Sequence, residues 1–348
     1  MMSKIFKIGN KVISDKNSPL IIAEIGQAHD GSIEKVFRFI DKIKENGGDA
    51  AKFQLHLASE ESTLDEPFRV KIKNFKNRYK YWESVEFSVE EWFKISKYCE
   101  RKKVIFLSSV FSKRGVHILT KVKTSAWKVA SGEFRSNELI DEMIKTKLPI
   151  LFSTGMMNFK EIKNLHSKLN KKSIDHAIFQ CTSNYPVKLE NTGLNVISEL
   201  RQKFNCAIGY SDHSGLISPS IMALTLRANL IEVHLKLKKN DSGPDSSSSL
   251  DFKEFKDLCR IRDEIFLVNS NPVNKNIIKK DIHVMRKLFG KSIALKVDLK
   301  KGSVIKKNDL TMKKPGFGFN QNQMKNIIGR TVVNFVSSKR ILKPKDIS

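Results

Sequence analysis

Eight short apolar segments, each followed by a helical pattern, recur along the first part of this 348-residue chain. Their length and composition predict buried strands at residues 20–25, 49–54, 104–108, 126–129, 150–153, 177–180, 206–209 and 229–231. Eight such units in roughly 250 residues fit a closed parallel barrel better than an open sheet. The predicted fold class is therefore α/β, with a (β/α)8 TIM barrel in this region.

Polar side chains collect where the predicted strands end. In a parallel barrel all of these ends lie on one face, and barrel enzymes carry their active sites there. Alternate residues of a strand share one side, so Lys52 and Gln54 face the same way, as do Glu232 and His234. The polar residues at or just beyond the strand ends are Glu24, Lys52, Gln54, Ser109, Lys128, Ser131, Glu133, Ser153, Ser183, Tyr185, Ser211, Asp212, His213, Glu232 and His234.

Two neighbouring strand ends carry histidines, His213 and His234. A single histidine in this position is more often simply hydrogen-bonded than a ligand. Two converging imidazoles, with carboxylates such as Asp245 nearby, can hold a divalent metal and leave positions open for substrate and water. The pattern favours a metal site without requiring one.

Two lysines, Lys52 and Lys128, are predicted in the same lumen. One buried lysine would be compatible with a structural ion pair. Two lysines among several serines indicate instead a cradle for a phosphate or carboxylate group.

Composition narrows the class of protein. The net charge of +26 would attract nucleic acid non-specifically, but the lysines are spread over most helices without a recognition motif, so no specific nucleic-acid partner is predicted. No apolar run approaches a membrane span and no signal-peptide pattern opens the chain, which predicts a cytoplasmic protein without a membrane partner. Four scattered cysteines are predicted to be reduced core residues: Cys99, Cys181, Cys206 and Cys259.

Seven motifs appear in an order that resembles the sialic acid synthase (N-acetylneuraminate synthase) family. They are AEIG at 23–26, KFQ at 52–54, KVASGE at 128–133, STGM at 153–156, CTSNYP at 181–186, GYSDH at 209–213 and GPD at 243–245. The resemblance implies an enzyme that condenses phosphoenolpyruvate with an N-acyl hexosamine and water. The products would be a nonulosonic acid and phosphate, released by cleavage of a C–O bond. It also implies a manganese or magnesium cofactor and a domain-swapped homodimer.

The resemblance also assigns roles to individual residues. It implies that His213 and His234 bind the metal and that Glu24, Glu133, Asp212, Lys52 and Lys128 are catalytic. The substrate-binding residues it implies are Gln54, Ser109, Ser131, Ser153, Ser183, Tyr185, Ser211, Glu232, Asp245 and Lys314.

The C-terminal region has a different pattern from the barrel. From Gly290 onward short β segments replace helices, and residues 299–310 are echoed in register by residues 336–347. This tail resembles the antifreeze-like (SAF) domain that ends sialic acid synthases. The predicted domains are a barrel at 1–270, a linker at 271–288 and a small β-rich SAF domain at 289–348.

Three residues depart from the family pattern, and because of them the sequence does not decide which sugar is the acceptor. Val233 and Ser246 replace a common lysine and histidine, and Lys314 replaces an arginine. The acceptor could be N-acetylmannosamine or a diacetamido-deoxyhexose that leads to a legionaminic- or pseudaminic-type acid. Two alternatives remain: another phosphoenolpyruvate-using or aldol-type barrel, and a non-catalytic carbohydrate-binding homologue.

Overall fold

The computed structural model describes residues 4–72, 74–238, 241 and 243–348. The chain forms two compact units, Met1–Asn271 and Pro272–Ser348. Among the described residues, no helix combines the length and the apolar character that crossing a membrane would need.

The first unit is a closed barrel of parallel strands behind a small hairpin. The hairpin pairs β1 (Phe6–Ile8) with β2 (Lys11–Ile13). In the described part of the chain, eight further strands pair in chain order and the last pairs back with the first, which confirms the predicted TIM barrel. They are β3 (Leu20–Gly26), β4 (Ala50–Leu55), β5 (Ile105–Val110), β6 (Trp127–Val129), β7 (Ile150–Ser153), β8 (His176–Cys181), β9 (Ala207–Asp212) and β10 (Leu230–Leu235), with β11 (Ser249–Leu250) paired to β10.

Helices follow the barrel strands and cover their outer side. Helix α4 begins at the predicted capping box, in which the Ser88 hydroxyl accepts from the Glu91 backbone and the Glu91 carboxylate accepts from the Ser88 backbone. The helices of this unit are α1 (Ile33–Glu45), α2 (Ala58–Glu61), α3 (Arg78–Val85), α4 (Val89–Lys102), α5 (Lys113–Lys121), α6 (Asn137–Lys145), α7 (Phe159–Lys171), α8 (Asn195–Lys203), α9 (Ser218–Thr225) and α10 (Phe252–Ser270).

The strands have two different faces. Their outward residues join the helices in one large hydrophobic cluster. The inward residues nearer the strand starts form a separate apolar cluster, to which the hairpin contributes Phe6, Ile8 and Ile13. The hairpin therefore closes one end of the lumen with apolar side chains. The other end, at the strand carboxyl ends, is left for polar residues.

The segment between β4 and α4 is more ordered than its irregular, charged sequence predicts. It contains α2 and α3 and has its own hydrophobic cluster, in which Tyr81, Trp82 and Val85 are buried. Phe68 and Phe75 pack against this cluster. The segment thus has its own small apolar core beside the strand carboxyl ends.

The second unit begins with the segment predicted as a linker, which contains α11 (Lys280–Phe289). Strands β12 (Ser292–Leu295) and β13 (Leu310–Lys313) pair antiparallel, and α12 (Met324–Ile327) follows. The sequence echo has a structural counterpart. Asp309 caps the backbone of Lys306 in the first copy, and Asp346 caps that of Lys343 in the second.

Candidate active site

Four charged side chains meet in the lumen of the barrel. Lys52 Nζ lies 2.6 Å from Glu24 Oε2 and 3.7 Å from Glu232 Oε2. Lys128 Nζ lies 3.5 Å from the other carboxylate oxygen of Glu232. Each of the four side chains is at most 4% exposed. The structure therefore brings together four residues predicted for the site, with Glu232 between two ammonium groups.

Burial and charge act in opposite directions on this array. Burial would lower the pKa of Lys52, but Glu232 and Glu24 outweigh it and raise that pKa. Burial dominates at Lys128 and lowers its pKa, because only Glu232 lies close to it. Burial opposes ionisation of Glu232, yet the two lysines lower its pKa. An anion bound beside Lys128 would supply the negative charge that this ammonium group lacks.

Serine hydroxyls surround the lysines. Lys128 donates to Ser153 Oγ, and Ser211 Oγ donates to Glu232 Oε1 at 2.8 Å. Ser109 is buried on β5, in register with Lys128 on the neighbouring strand. Ammonium and hydroxyl groups are suitable donors to phosphate and carboxylate oxygens. The lumen thus has the composition of the anion cradle that the sequence predicts.

Gly155 lets two serine hydroxyls and a thiol pack closely against its backbone in the same lumen. A β-carbon at this position would lie 2.3 Å from Ser183 Oγ, 2.9 Å from Ser131 Oγ and 3.1 Å from Cys181 Sγ. Ser183 Oγ is buried and has no hydrogen-bond partner among the described residues. An unpaired buried hydroxyl beside a glycine is suited to receive an oxygen atom of a ligand.

The predicted metal ligands His213 and His234 lie one step nearer the barrel mouth. Their ring centroids are 5.4 Å apart, and Tyr185 stacks on His213 at 4.1 Å. His213 Nδ1 lies 2.8 Å from the Thr182 carbonyl oxygen, so Nδ1 donates and Nε2 keeps its lone pair. Burial and the neighbouring His234 lower the pKa of His213 to about 3, which keeps the imidazole neutral. A neutral imidazole with a free Nε2 is the form that binds metals.

Gln54 connects the charged array to the barrel mouth. Its Nε2 donates to Glu24 Oε1 at 2.6 Å. Its Oε1 accepts from Gln27 Nε2 at 2.8 Å and lies 3.1 Å from His56 Nε2. The Gln54 side chain is therefore fixed in orientation, and with it one oxygen of Glu24.

His56 is a site residue that the sequence prediction missed. Its ring stacks between Trp82, at 3.9 Å, and Phe111, at 4.4 Å, and its Nδ1 pairs with Glu61. The stacking holds the imidazole in the orientation that reaches Gln54. His56 thus acts on the array through Gln54 and not by direct contact.

A cavity of about 170 Å³ opens at the barrel mouth. Asp245 lies on its wall with Oδ2 3.8 Å from His234 Nδ1, and its other oxygen pairs with Arg69. The Arg69 guanidinium also lies 4.4 Å from the centre of the Tyr185 ring. Phe68 from the ordered segment adds apolar surface. A mixed polar and apolar wall of this kind is typical of a site for a small organic ligand.

Two predicted catalytic acids lie apart from the array. Asp212 Oδ1 accepts from the Ser214 backbone at 2.9 Å and Oδ2 accepts from Ser220 Oγ at 2.8 Å, on the outer side of β9. These hydrogen bonds fix the turn that carries His213. Glu133 accepts from Ser136 Oγ at 2.6 Å, and burial raises its pKa.

The three departures from the family pattern lie in different places. Val233 faces outward into the hydrophobic cluster, away from the lumen. Ser246 Oγ accepts from the Gly243 backbone at 2.6 Å and so closes a turn next to Asp245. Lys314 belongs to the second unit, where its Nζ lies 5.5 Å from the centre of the Phe289 ring.

Comparison with known proteins gives consistent matches over the whole chain. Residues 39–271 match the NeuB family, and residues 290–348 match the SAF domain. N,N'-diacetyllegionaminic acid synthase from Legionella pneumophila is 30% identical over 89% of this chain and 89% of its own. N-acetylneuraminate-9-phosphate synthase from Homo sapiens is 30% identical over 90% of this chain and 88% of its own. The crystal structure of a spore coat polysaccharide biosynthesis protein from Bacillus subtilis matches with a TM-score of 0.67 and 26% identity, and covers 99% of both chains.

Proposed function

This chain belongs to the NeuB family, as its motifs indicated, and we propose that it condenses phosphoenolpyruvate with an N-acyl amino hexose and water. The products are a nonulosonic acid and inorganic phosphate. The observation that carries this proposal is the buried array of Lys52, Lys128, Glu24 and Glu232 beneath the paired rings of His213 and His234. It provides an anion site and an electrophile site within one lumen.

The lysines and serines account for the binding of phosphoenolpyruvate. Lys128 shares the Glu232 carboxylate with Lys52, so a phosphate or carboxylate group beside Lys128 would add the negative charge that balances the second ammonium group. The hydroxyls of Ser131 and Ser183, packed against Gly155, would be further donors to its oxygens. With its phosphate or carboxylate among the lysines, the enol phosphate would lie below the histidines at the barrel mouth.

The family resemblance implies a manganese or magnesium ion at the two histidines, where Asp245, water and the substrate would supply the oxygen ligands that these ions prefer. Within the described chain no hydrogen bond is made by His213 Nε2, the two ring centroids are 5.4 Å apart, and Asp245 Oδ2 lies 3.8 Å from His234 Nδ1. When bound, such a cation polarises the aldehyde of the open-chain acceptor. Among the chain's own residues, Tyr185 and Asp245 would position the sugar.

The bonds change in a fixed order in this reaction. C3 of phosphoenolpyruvate forms a bond to the aldehyde carbon, and the aldehyde oxygen takes up a proton. Water then adds at C2, and the C2–O bond to the phosphate breaks. The phosphate keeps its bridging oxygen, and Lys52 and Lys128 offset its charge as it leaves. The water oxygen stays in the sugar acid.

A phosphate-release assay tests the proposal. Release is expected only when phosphoenolpyruvate, a divalent metal and an amino hexose are all present. Lys128→Met should abolish it, whereas Lys97→Met, which changes an exposed lysine, should not. Release without any sugar, or from the Lys128→Met protein at the normal rate, would contradict the proposal.

Identification of the acceptor requires a comparison of several sugars. The two relatives are named for different products, a diacetyllegionaminic acid and a 9-phosphorylated neuraminic acid. We propose an N-acyl amino hexose because the cavity wall combines Asp245, Arg69 and the aromatic rings of Tyr81 and Trp82. N-acetylmannosamine, its 6-phosphate and diacetamido-deoxyhexoses should be compared by kcat/KM.

We also propose, on family resemblance, a homodimer in which the SAF unit of one chain closes the barrel of its partner, with Lys314 at the sugar. Co-expression of His213→Ala and Lys314→Ala chains tests this exchange. Random pairing gives mixed dimers with one sound site in half of the molecules, so about a quarter of wild-type activity should return. Inactive mixed dimers of two inactive mutants would contradict the exchange. Full activity of Lys314→Ala alone would remove Lys314 from the site. The cytoplasmic location stays a prediction.

A further inference from the structure

A second group of metal-ligand side chains lies at the opposite end of the barrel from the lysines. His176 is the first residue of β8, Cys206 directly precedes β9, and His166 lies on α7. One ligand atom from each residue lies within 4.8 Å of the other two. His176 and Cys206 are buried, and His166 is half-buried. Within the part of the chain that the structure describes, this is the group of three such side chains that converges.

We propose that His166, His176 and Cys206 form a structural zinc site that ties α7 to β8 and β9. Two imidazoles and one thiolate are the ligands that zinc prefers, whereas manganese and magnesium prefer oxygen ligands. The site lies near the strand starts, where barrel proteins carry stabilising features and not catalytic ones. It is therefore separate from the cation site at His213 and His234.

The hydrogen bonds of the cluster show how the imidazoles are arranged. His176 Nδ1 lies 2.8 Å from the Ile174 carbonyl oxygen, so it carries the proton and leaves Nε2 as an acceptor. That Nε2 lies 2.8 Å from His166 Nδ1, and His166 Nε2 lies 2.8 Å from the Asn170 amide. His166 Nδ1 therefore donates a hydrogen bond to His176 Nε2. The two nitrogens face each other, and both could bind one metal ion if this proton moved away.

Zinc binding requires only a small rearrangement of these atoms. Zinc–nitrogen bonds of about 2.0–2.1 Å in a tetrahedral site place two nitrogens about 3.3 Å apart. The present 2.8 Å between His166 and His176 must therefore open by roughly half an ångström. The His166 proton moves to Nε2, where the Asn170 carbonyl oxygen accepts it after an amide flip.

Cys206 supplies the third ligand atom. Its side chain is buried directly before β9, and its sulfur lies within 4.8 Å of a ligand nitrogen of each histidine. Binding then replaces the thiol proton with the metal, and one proton is released for each zinc bound. A water molecule would complete the four-coordinate site.

Metal content and cobalt spectroscopy of the full chain test this proposal. The experiment is done on the His213→Ala/His234→Ala protein, so that the barrel-mouth site does not contribute. This protein is expected to bind about one equivalent of added Zn²⁺. With Co²⁺ in its place, a thiolate-to-cobalt charge-transfer band should appear in the near ultraviolet. Zn²⁺ should also raise the Tm of this protein.

The matched variants are Cys206→Ser and Cys259→Ser, which change two buried cysteines in the same way. Only Cys206→Ser should lose the band, the bound zinc and the rise in Tm. If Cys206→Ser does not fold, His166→Gln, at a half-buried position, should show the same loss. The proposal would be overturned if the His213→Ala/His234→Ala protein did not bind Zn²⁺. It would also be overturned if neither cysteine substitution changed Zn²⁺ binding or the cobalt spectrum. Because no substrate is used, this outcome is independent of the proposed activity.

Discussion

Replacement of Glu232 by glutamine should destabilise the barrel far more than the same change at an exposed ion pair. Glu232 lies 3.7 Å from the Lys52 ammonium and 3.5 Å from that of Lys128, with all three side chains buried. At an effective dielectric constant near 20, each contact is worth about 4 kcal/mol before desolvation is counted. Removal of one partner from a buried pair costs about 3–5 kcal/mol. Lys128 can lose its proton because burial already lowers its pKa, so we expect about 3 kcal/mol.

Urea denaturation followed by tryptophan fluorescence measures this loss. The three tryptophans, Trp82, Trp92 and Trp127, all belong to the barrel unit and therefore report on its unfolding. Glu83→Gln is the matched control, because Glu83 pairs with Lys80 at 2.6 Å but both side chains are exposed. It should leave the unfolding midpoint unchanged.

A double mutant separates charge from packing. In Glu232→Gln/Lys128→Met the unpaired ammonium is removed and the Lys52–Glu24 pair remains. The double mutant should therefore be more stable than the sum of the two single changes predicts. Equal midpoints for Glu232→Gln and Glu83→Gln, or strict additivity in the double mutant, would refute an ionised Glu232 between two lysines.

Three further outcomes test other parts of the site. Gly155→Ala should raise the KM for phosphoenolpyruvate by about tenfold or more, because its β-carbon would lie 2.3 Å from a serine hydroxyl. Gly132→Ala is the control and should leave this KM unchanged, because Gly132 has open space around it. Steady-state kinetics compare the two variants. Arg69→Ala should raise the KM for the sugar by roughly five- to tenfold and leave that for phosphoenolpyruvate unchanged, because Arg69 holds Asp245; equal effects on both KM values would contradict this role. A chelator should abolish activity until metal is restored. His213→Ala should be inactive with or without metal, while its circular dichroism spectrum stays that of wild type. Phosphate release by chelator-treated His213→Ala protein would exclude His213 as a metal ligand needed for activity.

The sequence predicts the barrel and the inner face of the site because both depend on local periodicity. The period of two along a strand places Lys52 and Gln54 inward, and extending it by one step indicates His56, which the sequence interpretation passed over. The same rule, applied to Ser211, turns Asp212 outward, as the structure shows. The catalytic role predicted for Asp212 came from the family motif alone and did not consider the direction of its side chain.

Other features could not be predicted from local patterns. The strands of the opening hairpin have three residues each, too few to show a period, and Phe6 reaches the lumen only because the barrel closes around it. Arg69 comes from a segment without periodicity, and its contact with Asp245 joins residues 176 positions apart in the chain. His166, His176 and Cys206 likewise converge only through tertiary structure, because their spacing matches no metal-binding motif.

The fate of oxygen tests the central claim most directly. The complete reaction, with phosphoenolpyruvate, metal and the best acceptor sugar, is run in water labelled with oxygen-18, and both products are analysed by mass spectrometry. Cleavage of the C–O bond leaves the released phosphate unlabelled and places the label in the sugar acid. Labelled phosphate would mean attack of water at phosphorus, and would contradict a condensing synthase built on the lysine array.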